Sequence, residues 1–585
     1  MPEYRAPLTD QQFLLHEWLD IAGHYQRIGK GDFDQELINE ILQQGAKFAE
    51  TELAPLNRNG DEQSCKLSDG KVTTPDGFAS AYQNYIENGW NAMLGSEDFG
   101  GQELPYSMAV PFHEMMISAN LSWRLISMLT ESSILALDKH AADCLKEIYL
   151  PKLVSGEWTG TMCLTEPQAG TDLALLNTKA EPQADGSYLI SGSKIFISGG
   201  DQDWTDNIIH LVLARLPDAP PGVKGISLFI VPKFLPNDND EFNVPNTLGV
   251  GSLEHKMGLK GCPTCVMNFD SAKGWLVGQE NNGLACMFTM MNDARFQVGL
   301  QGLGIAEAAY QGAVAYAKER LQSRAPQGVQ QPDQKADAII HQPDVRRMLL
   351  TQKALTEGCR ALALLYAKNM DIERFGTDQE KHQAGELLAF LTPIAKAFFT
   401  DVGQESAQIG VQVFGGHGFI REWGMEQLIR DSRITQLYEG TNGIQALDLI
   451  SRKLTRDGGK KQAVTLAYFQ EIANNISNAK DKELALSILA EWDQVSQALM
   501  GQSGEYVASG AYDYLLFSSY SLIGVCWLSM ADTASQSDNE VLKASKRKTC
   551  DFYIKRLLPK KELHKQSLTL GSEDLLALKE DEFIV

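Results

Sequence analysis

Apolar residues recur at spacings of three and four through the first 155 positions, most clearly across 33–53 and 134–150, which predicts an N-terminal helical domain over 1–155. The period then changes. SYLISGSKIFIS (187–198), IIHLVLARL (208–216) and GISLFIV (225–231) are short, β-branched and bounded by Gly, Pro, Asp and Asn, so a compact middle β domain is expected over 156–280. Helical spacing returns in Leu387, Leu388, Leu391, Ile394, Ala395, Phe398, Phe399 and Val402, one apolar stripe in which Pro393 predicts a kink, within a helical domain over 281–451. The charged, glycine-containing RKLTRDGGKKQ (452–462) reads as a linker to an additional helical domain over 463–585. The fold class is α+β, mostly α: helices, strands, helices, then a helical appendage.

Composition narrows the function. At 585 residues the chain exceeds one core. Its net charge of −23 repels a nucleic-acid backbone unless basic residues gather on one face. Such a run exists: nine Lys or Arg lie in KASKRKTCDFYIKRLLPKKELHK (543–565). It reads as a solvated helix face, weighed against peripheral membrane contact and nucleic-acid binding. The uncharged run 514–531 holds four serines and a glycine and is expected to be a buried helix. The start, MPEYRAPLTD, lacks the pattern of a secretory signal or a transit peptide, and nine irregularly spaced cysteines suggest reduced thiols; a cytoplasmic protein is expected. Cys262 and Cys265 form a CxxC without a second pair at zinc spacing, so no metal is expected.

Five short stretches carry candidate chemistry. MCLTEPQAGTD (162–172) and FISGG (196–200) place hydroxyls, glycines and an aromatic at strand ends, where a flat hydrogen-bonding ring or a phosphate can be held. MNDARFQVG (291–299) reads as a helix start, with Asn292 and Asp293 as caps and Arg295 just inside, a cation suited to phosphate or carboxylate. In QVFGGHG (412–418) paired glycines let the backbone approach a ligand, or close a helix. LYEGTNGIQ (437–445) sets one acid, Glu439, on a glycine-flanked bend after two apolar residues.

The ordered set CLTEPQAGTD, KIFISGG, MNDARFQVGLQGLG, QVFGGHGF and LYEGTNGIQ resembles the acyl-CoA dehydrogenase family over about residues 80–450. MPEYRAPL, an insertion at 325–342 and the appendage are similar to a larger bacterial subgroup of 3-methylmercaptopropionyl-CoA dehydrogenase-like and long-chain enzymes. The resemblance implies an N-terminal helical domain, a middle β domain and a C-terminal four-helix bundle. It also implies α,β-dehydrogenation of an acyl-CoA thioester on FAD, within fatty-acid β-oxidation or related catabolism.

By the same resemblance Glu439 is the catalytic base, with apolar neighbours expected to raise its pKa. Some relatives carry the base just before the Arg of the MNDAR-like segment; here that residue is Ala294, which cannot take a proton. Met162, Leu164 and Thr165 would contact the isoalloxazine, with Phe196 (in place of the common Trp) and Ser198 against the flavin. Arg324, Gln412, Phe414, Gly415 and Gly416 would reach a neighbouring subunit's FAD, completed by Thr441 and Gly443. The aromatic usual after Arg324 is replaced by APQG, which weakens that part of the match. Thr171, Asn292, Arg295 and Gly440 would meet the substrate. The implied partners are acyl-CoA, a second copy in a homodimer, and electron-transfer flavoprotein as acceptor. Two alternatives share the fold: a flavin-containing DNA-binding alkylation-response protein, and an oxygen-using acyl-CoA oxidase.

Overall fold

A computed structural model describes residues 3–584. They form two compact units, one of residues 3–47, 106–118 and 298–584, the other of Phe48–Pro105 and Ala119–Gln297.

The second unit holds the sheets. β1 (Lys66–Ser68) and β2 (Lys71–Thr73) make an antiparallel hairpin in a region where apolar spacing predicts only helices. Asp69 and Gly70 turn it with φ of 52° and 74°, the positive values a two-residue hairpin loop requires. The large sheet contains β3 (Trp158–Cys163), β4 (Lys179–Pro182), β5 (Tyr188–Ser198), β6 (Asn207–Arg215) and β7 (Ile226–Pro232). After a separate pair, β8 (Phe234–Pro236) and β9 (Phe242–Pro245), come β10 (Leu248–Leu253) and β11 (Thr264–Val277). β5 pairs with β4 and β11, β4 touches β6, β6 pairs with β7, and β7 returns to β11, so the strands close on themselves. Closure leaves β3 and β10 as the outer strands and encloses Ile190, Ile197, Val212, Phe229, Val231, Met267 and Phe269. Cys163 and Cys265 belong to this core, where burial pushes each thiol up to about 12. All nine cysteines are free, and among the described residues no group of three or more His, Cys, Asp or Glu could hold a metal ion.

The first unit is helical. Its long elements are α1 (Gly283–Glu319, entering this unit at Val298), α2 (Pro343–Phe375) and α3 (Asp378–Phe414). α4 (Asn442–Leu447), α5 (Lys460–Asn474), α6 (Ala479–Met500), α7 (Ala511–Ala534), α8 (Glu540–Phe552) and α9 (Lys560–Ser567) follow. α3 is one helix despite Pro393, opened by a capping box of Thr377 and Glu380. α1 and α3 meet backbone to backbone: a Cβ on Gly302 would lie 2.2 Å from the Phe399 carbonyl oxygen, and one on Gly299 2.7 Å from that of Ala395.

α7, which contains the uncharged run, is the one helix among the described residues long and apolar enough to cross a membrane, yet 89% of that window is buried in the fold. It packs on α6, α8 and α9 of the appendage and on α2, α3 and α4 of the bundle. Trp527 Nε1 donates to the Ala354 carbonyl at 2.9 Å, and Tyr520 sets its ring edge-on to Phe398. The basic run departs from a solvated face. Lys546 is 1% exposed and donates to Asp10 and Glu357; Lys561 and Lys565 both meet Glu491, Arg547 meets Asp481 and Asp551, and Lys560 meets Glu405. Most of its charge is thus matched by acids of the same unit. The spacing of basic residues in sequence could not show where those acids lie.

Candidate active site

In the second unit β3 ends at Cys163, and the chain turns through 164–172. A lone lysine inside the β-branched run of β5 holds this turn. Lys194, fully buried, donates to the Leu164 carbonyl at 3.0 Å and to Glu166 Oε1 at 2.9 Å. Glu166 also accepts from Asn177 N, Thr178 N and Thr178 Oγ1 at 2.8, 3.0 and 2.5 Å. Burial opposes its ionisation, but the Lys194 ammonium and these donors outweigh it and hold the carboxyl down at about 2. Ile195 N donates to the Thr165 carbonyl at 2.9 Å, so Thr165 is fixed from β5 as well.

Beside it β5 is irregular. Its pairing with β11 shifts between Cys265↔Ile197 and Met267↔Lys194, which sets Ile195 and Phe196 opposite Val266 alone. Such a bulge re-aims a side chain. Phe196 takes φ of 61°, a conformation sterically poor for a bulky residue, and leaves 59% of its surface exposed. A strained aromatic held out near a strand end could offer its face to a flat ring, for which Met162, Leu164, Thr165 and Ser198 would be suitable apolar and hydroxyl neighbours. The residues fit a flavin.

The MNDAR segment lies well inside α1, which begins at Gly283, so Asn292 and Asp293 are not caps. Asn292 is exposed. Asp293 is buried, accepts from Ser132 Oγ at 2.6 Å, and is pushed up to about 6, chiefly by burial. Ala294 is fully buried. Arg295 is half-buried over the Phe288 ring, and its buried Nε has no hydrogen-bond partner. Thr171 is exposed beside Asp172, which caps the short turn Leu173–Leu175.

In the first unit the chain leaves the turn Arg433–Gln436 and enters LYEGTN. Glu439 has φ of 56° and Gly440 of 80°, two successive left-handed residues that swing the chain into α4. Thr441 caps α4 by accepting from Ile444 N at 3.3 Å, and Gln445 Nε2 donates to the Glu439 carbonyl at 2.9 Å. Leu437 is exposed and Tyr438, half-buried, donates to Gln301, so the apolar approach to Glu439 is only partial. Asp401 of α3 holds the turn from below: Gln436 Nε2 and Asn442 Nδ2 both donate to its Oδ1, at 2.6 and 2.8 Å. Asn442 is buried and also meets Lys396, Ala397 and Thr400.

α3 closes at Gly415, φ 59°, and a Cβ on either Gly415 or Gly416 would meet nothing within 4 Å, an open cradle of backbone. Gln412, Thr441 and Gly443 are exposed. Phe414 is different: its ring is buried and stacked on Tyr316 at 4.2 Å, so it contributes backbone rather than an aromatic face. Arg324 spends its guanidinium on its own insertion, on Asp337 at 3.2 Å and on the Gln331 and Gln334 carbonyls. Sequence reading missed Lys194, Glu166, Asp401 and Asn442. A lysine interrupting an apolar strand was the available signal for the first; the others have none outside the fold.

Four family models match in chain order: acyl-CoA dehydrogenase N-terminal domain over 35–157, middle domain over 161–272, C-terminal domain over 281–454, and acetyl-CoA dehydrogenase C-terminal like over 468–579. The chain is 45% identical to 3-methylmercaptopropionyl-CoA dehydrogenase of Ruegeria pomeroyi, covering 78% of this chain and 77% of that one. It is 32% identical to the broad-specificity linear acyl-CoA dehydrogenase FadE5 of Mycobacterium tuberculosis over the full length of both. In fold it is similar to Caenorhabditis elegans ACDH-11, solved in complex with C11-CoA, with a TM-score of 0.79 at 19% identity over 100% of this chain and 96% of that one. The appendage is therefore part of a recurring architecture, and the chain belongs to the acyl-CoA dehydrogenase family of FAD-dependent oxidoreductases.

Proposed function

We propose that the protein oxidises a linear acyl-CoA to the trans-2-enoyl-CoA in fatty-acid β-oxidation or related acyl-CoA catabolism, with Glu439 as base. The name of the FadE5 relative, a broad-specificity linear acyl-CoA dehydrogenase, supports a linear chain. The observation that carries the reading is the Glu439 turn, an acid at φ 56° whose two shoulders share one carboxylate oxygen of Asp401. Bound FAD supplies, at flavin N5, the acceptor for the β-hydrogen and its electron pair.

The chain does the rest. Glu439 takes the α-proton, and its backbone N–H donates to the thioester oxygen where negative charge develops. Asn292, Arg295 and Thr171 bind the CoA arm, the guanidinium pairing with phosphate, and Gly440 leaves room for the thioester. Met162, Leu164, Thr165, Phe196 and Ser198 hold and orient the flavin ring. In a homodimer, Gln412, Gly415, Gly416, Thr441, Gly443 and the Phe414 backbone would cradle the second copy's adenosine half. Arg324 joins them only by exchanging bonds it now makes to its own loop. An electron-transfer flavoprotein would be the partner that accepts the electrons.

Glu439→Gln keeps size and hydrogen bonding while deleting basicity. The variant should bind FAD and acyl-CoA normally and lose at least ~100-fold in the rate of anaerobic flavin bleaching. Bleaching above about a tenth of the normal rate would rule out Glu439 as the base.

A further inference from the structure

Asp401 has a second oxygen, and the appendage occupies it. Tyr512, on the first turn of α7, donates its hydroxyl to Asp401 Oδ2, while Oδ1 accepts from Gln436 and Asn442. One carboxylate therefore joins three segments: the residue three before Glu439, the residue three after it, and the appendage helix. Asp401 rides on α3, and Lys396, one turn earlier, donates to Asn442 Oδ1 at 2.9 Å. The turn between the two shoulders carries an unfavourable left-handed Glu439, so it keeps its shape only while both shoulders are held. Without its Tyr512 partner the Asp401 carboxylate keeps only Gln436 and Asn442 on Oδ1; Asn442 stays tied to Lys396, Ala397 and Thr400, so the shoulder that loosens is the Gln436 one.

We propose that Tyr512 and Asp401 are positioning residues for the reaction, through which the appendage sets the aim of the Glu439 carboxylate. This rests on Glu439 being the base. The chemistry is sensitive to such a device, because proton removal from carbon needs the acid and the α-carbon in near-attack geometry, and an error of about 1 Å costs about a hundredfold. Tyr512 touches no substrate in this scheme; it acts through Asp401.

The test uses full-length holoenzyme and three variants. Tyr512→Phe removes one oxygen atom from a partly exposed side chain. It should lower kcat for flavin reduction about tenfold, with KM, FAD content and Tm unchanged, and should speed amide hydrogen exchange across 436–442 at least fivefold while β5 and β11 exchange as before. Asp401→Asn can still accept at Oδ1 and donate to the tyrosine oxygen, so it should keep kcat within about threefold. Asp401→Ala should lose as much as Tyr512→Phe or more, and adding Tyr512→Phe to it should change nothing further. Unchanged exchange across 436–442 in Tyr512→Phe would overturn the proposal whatever kcat does; so would faster exchange with normal kcat, or additive single effects. The exchange measurement does not depend on which residue is the base. A Glu439→Gln protein that still bleached would remove the base assignment and with it the catalytic meaning of the contact, while the exchange result would stand.

Discussion

Lys194 illustrates how a single buried charge can tie a loop to a strand distant in sequence. Its ammonium reaches the Leu164 carbonyl and Glu166 together, so the loop that carries Leu164 and Thr165 is tied to the strand that carries Phe196. Replacing it with Met keeps the volume but leaves Glu166 buried without a counter-charge, which costs roughly 3–5 kcal/mol. Lys194→Met should therefore lower Tm and raise the FAD dissociation constant while leaving the unit's sheet intact by circular dichroism. The wild-type pair has a pH signature. The Glu166 carboxyl sits at about 2 in the fold against an ordinary 4.5, so its contribution is full above 4.5 and is lost as pH falls towards 2. An acid titration of FAD release should show that loss between those values in the wild type and not in Lys194→Met. The bend at Glu439 was legible because glycine and asparagine flank the acid. Lys194 and Asp401 were not, since their meaning comes from partners far away in sequence.

At the scale of elements, the glycines of α1 matter more than its polar residues. GLQGLG reads as a weak helix, because glycine costs about 1 kcal/mol against alanine in a helix interior. The fold explains the exception: Gly299 and Gly302 let α1 lie directly on the backbone of α3 at Ala395 and Phe399, just before Asp401. Gly302→Ala gains helix propensity but drives its Cβ to 2.2 Å from a carbonyl oxygen that cannot move alone. The two helices must separate, at a net cost of about 1–3 kcal/mol. A lower Tm together with a fall in kcat is the expected result, since α3 carries the residue that holds the Glu439 turn. A more stable variant, as propensity alone predicts, would mean that the helices adapt. Periodicity located the helices and strands well, and in β5 even the right segment. It placed the start of α1 too late, because Asn292 and Asp293 read as caps although Met287, Met290 and Met291 already keep the helical spacing, and it missed β1 and β2, whose Asp-Gly turn is the local signal. The bulge at Phe196 depends on register with β11 and has no sequence signature at all.

At the scale of the whole molecule, the appendage is part of the bundle's core rather than an addition to its surface. Charge fixes it there as firmly as packing. Arg360 of α2 donates to Asp10, Glu114 and Glu307, all in the first unit, and Lys546 of α8 completes the set by donating to Asp10 and Glu357. Burial disfavours the Asp10 carboxylate, yet Lys546 and Arg360 together keep its pKa far below the usual range. A chain ending near Lys460 would remove Lys546 and leave acids in the interior with too few cations; breaking a buried pair from one side costs roughly 3–5 kcal/mol, a large share of an ordinary domain's ~5–15 kcal/mol. It would also strip α7 from α2 and α3, exposing Phe390 and Phe398, which now face Trp492 and Tyr520 edge-on. The truncated chain is expected to aggregate or to lack a cooperative unfolding transition. Lys546→Met in the full chain separates the two causes, since it keeps the apolar cover: it should fold, with a Tm several degrees lower. A soluble, cooperative and active truncated protein would show instead that the bundle carries its own core and that the appendage merely rests on it.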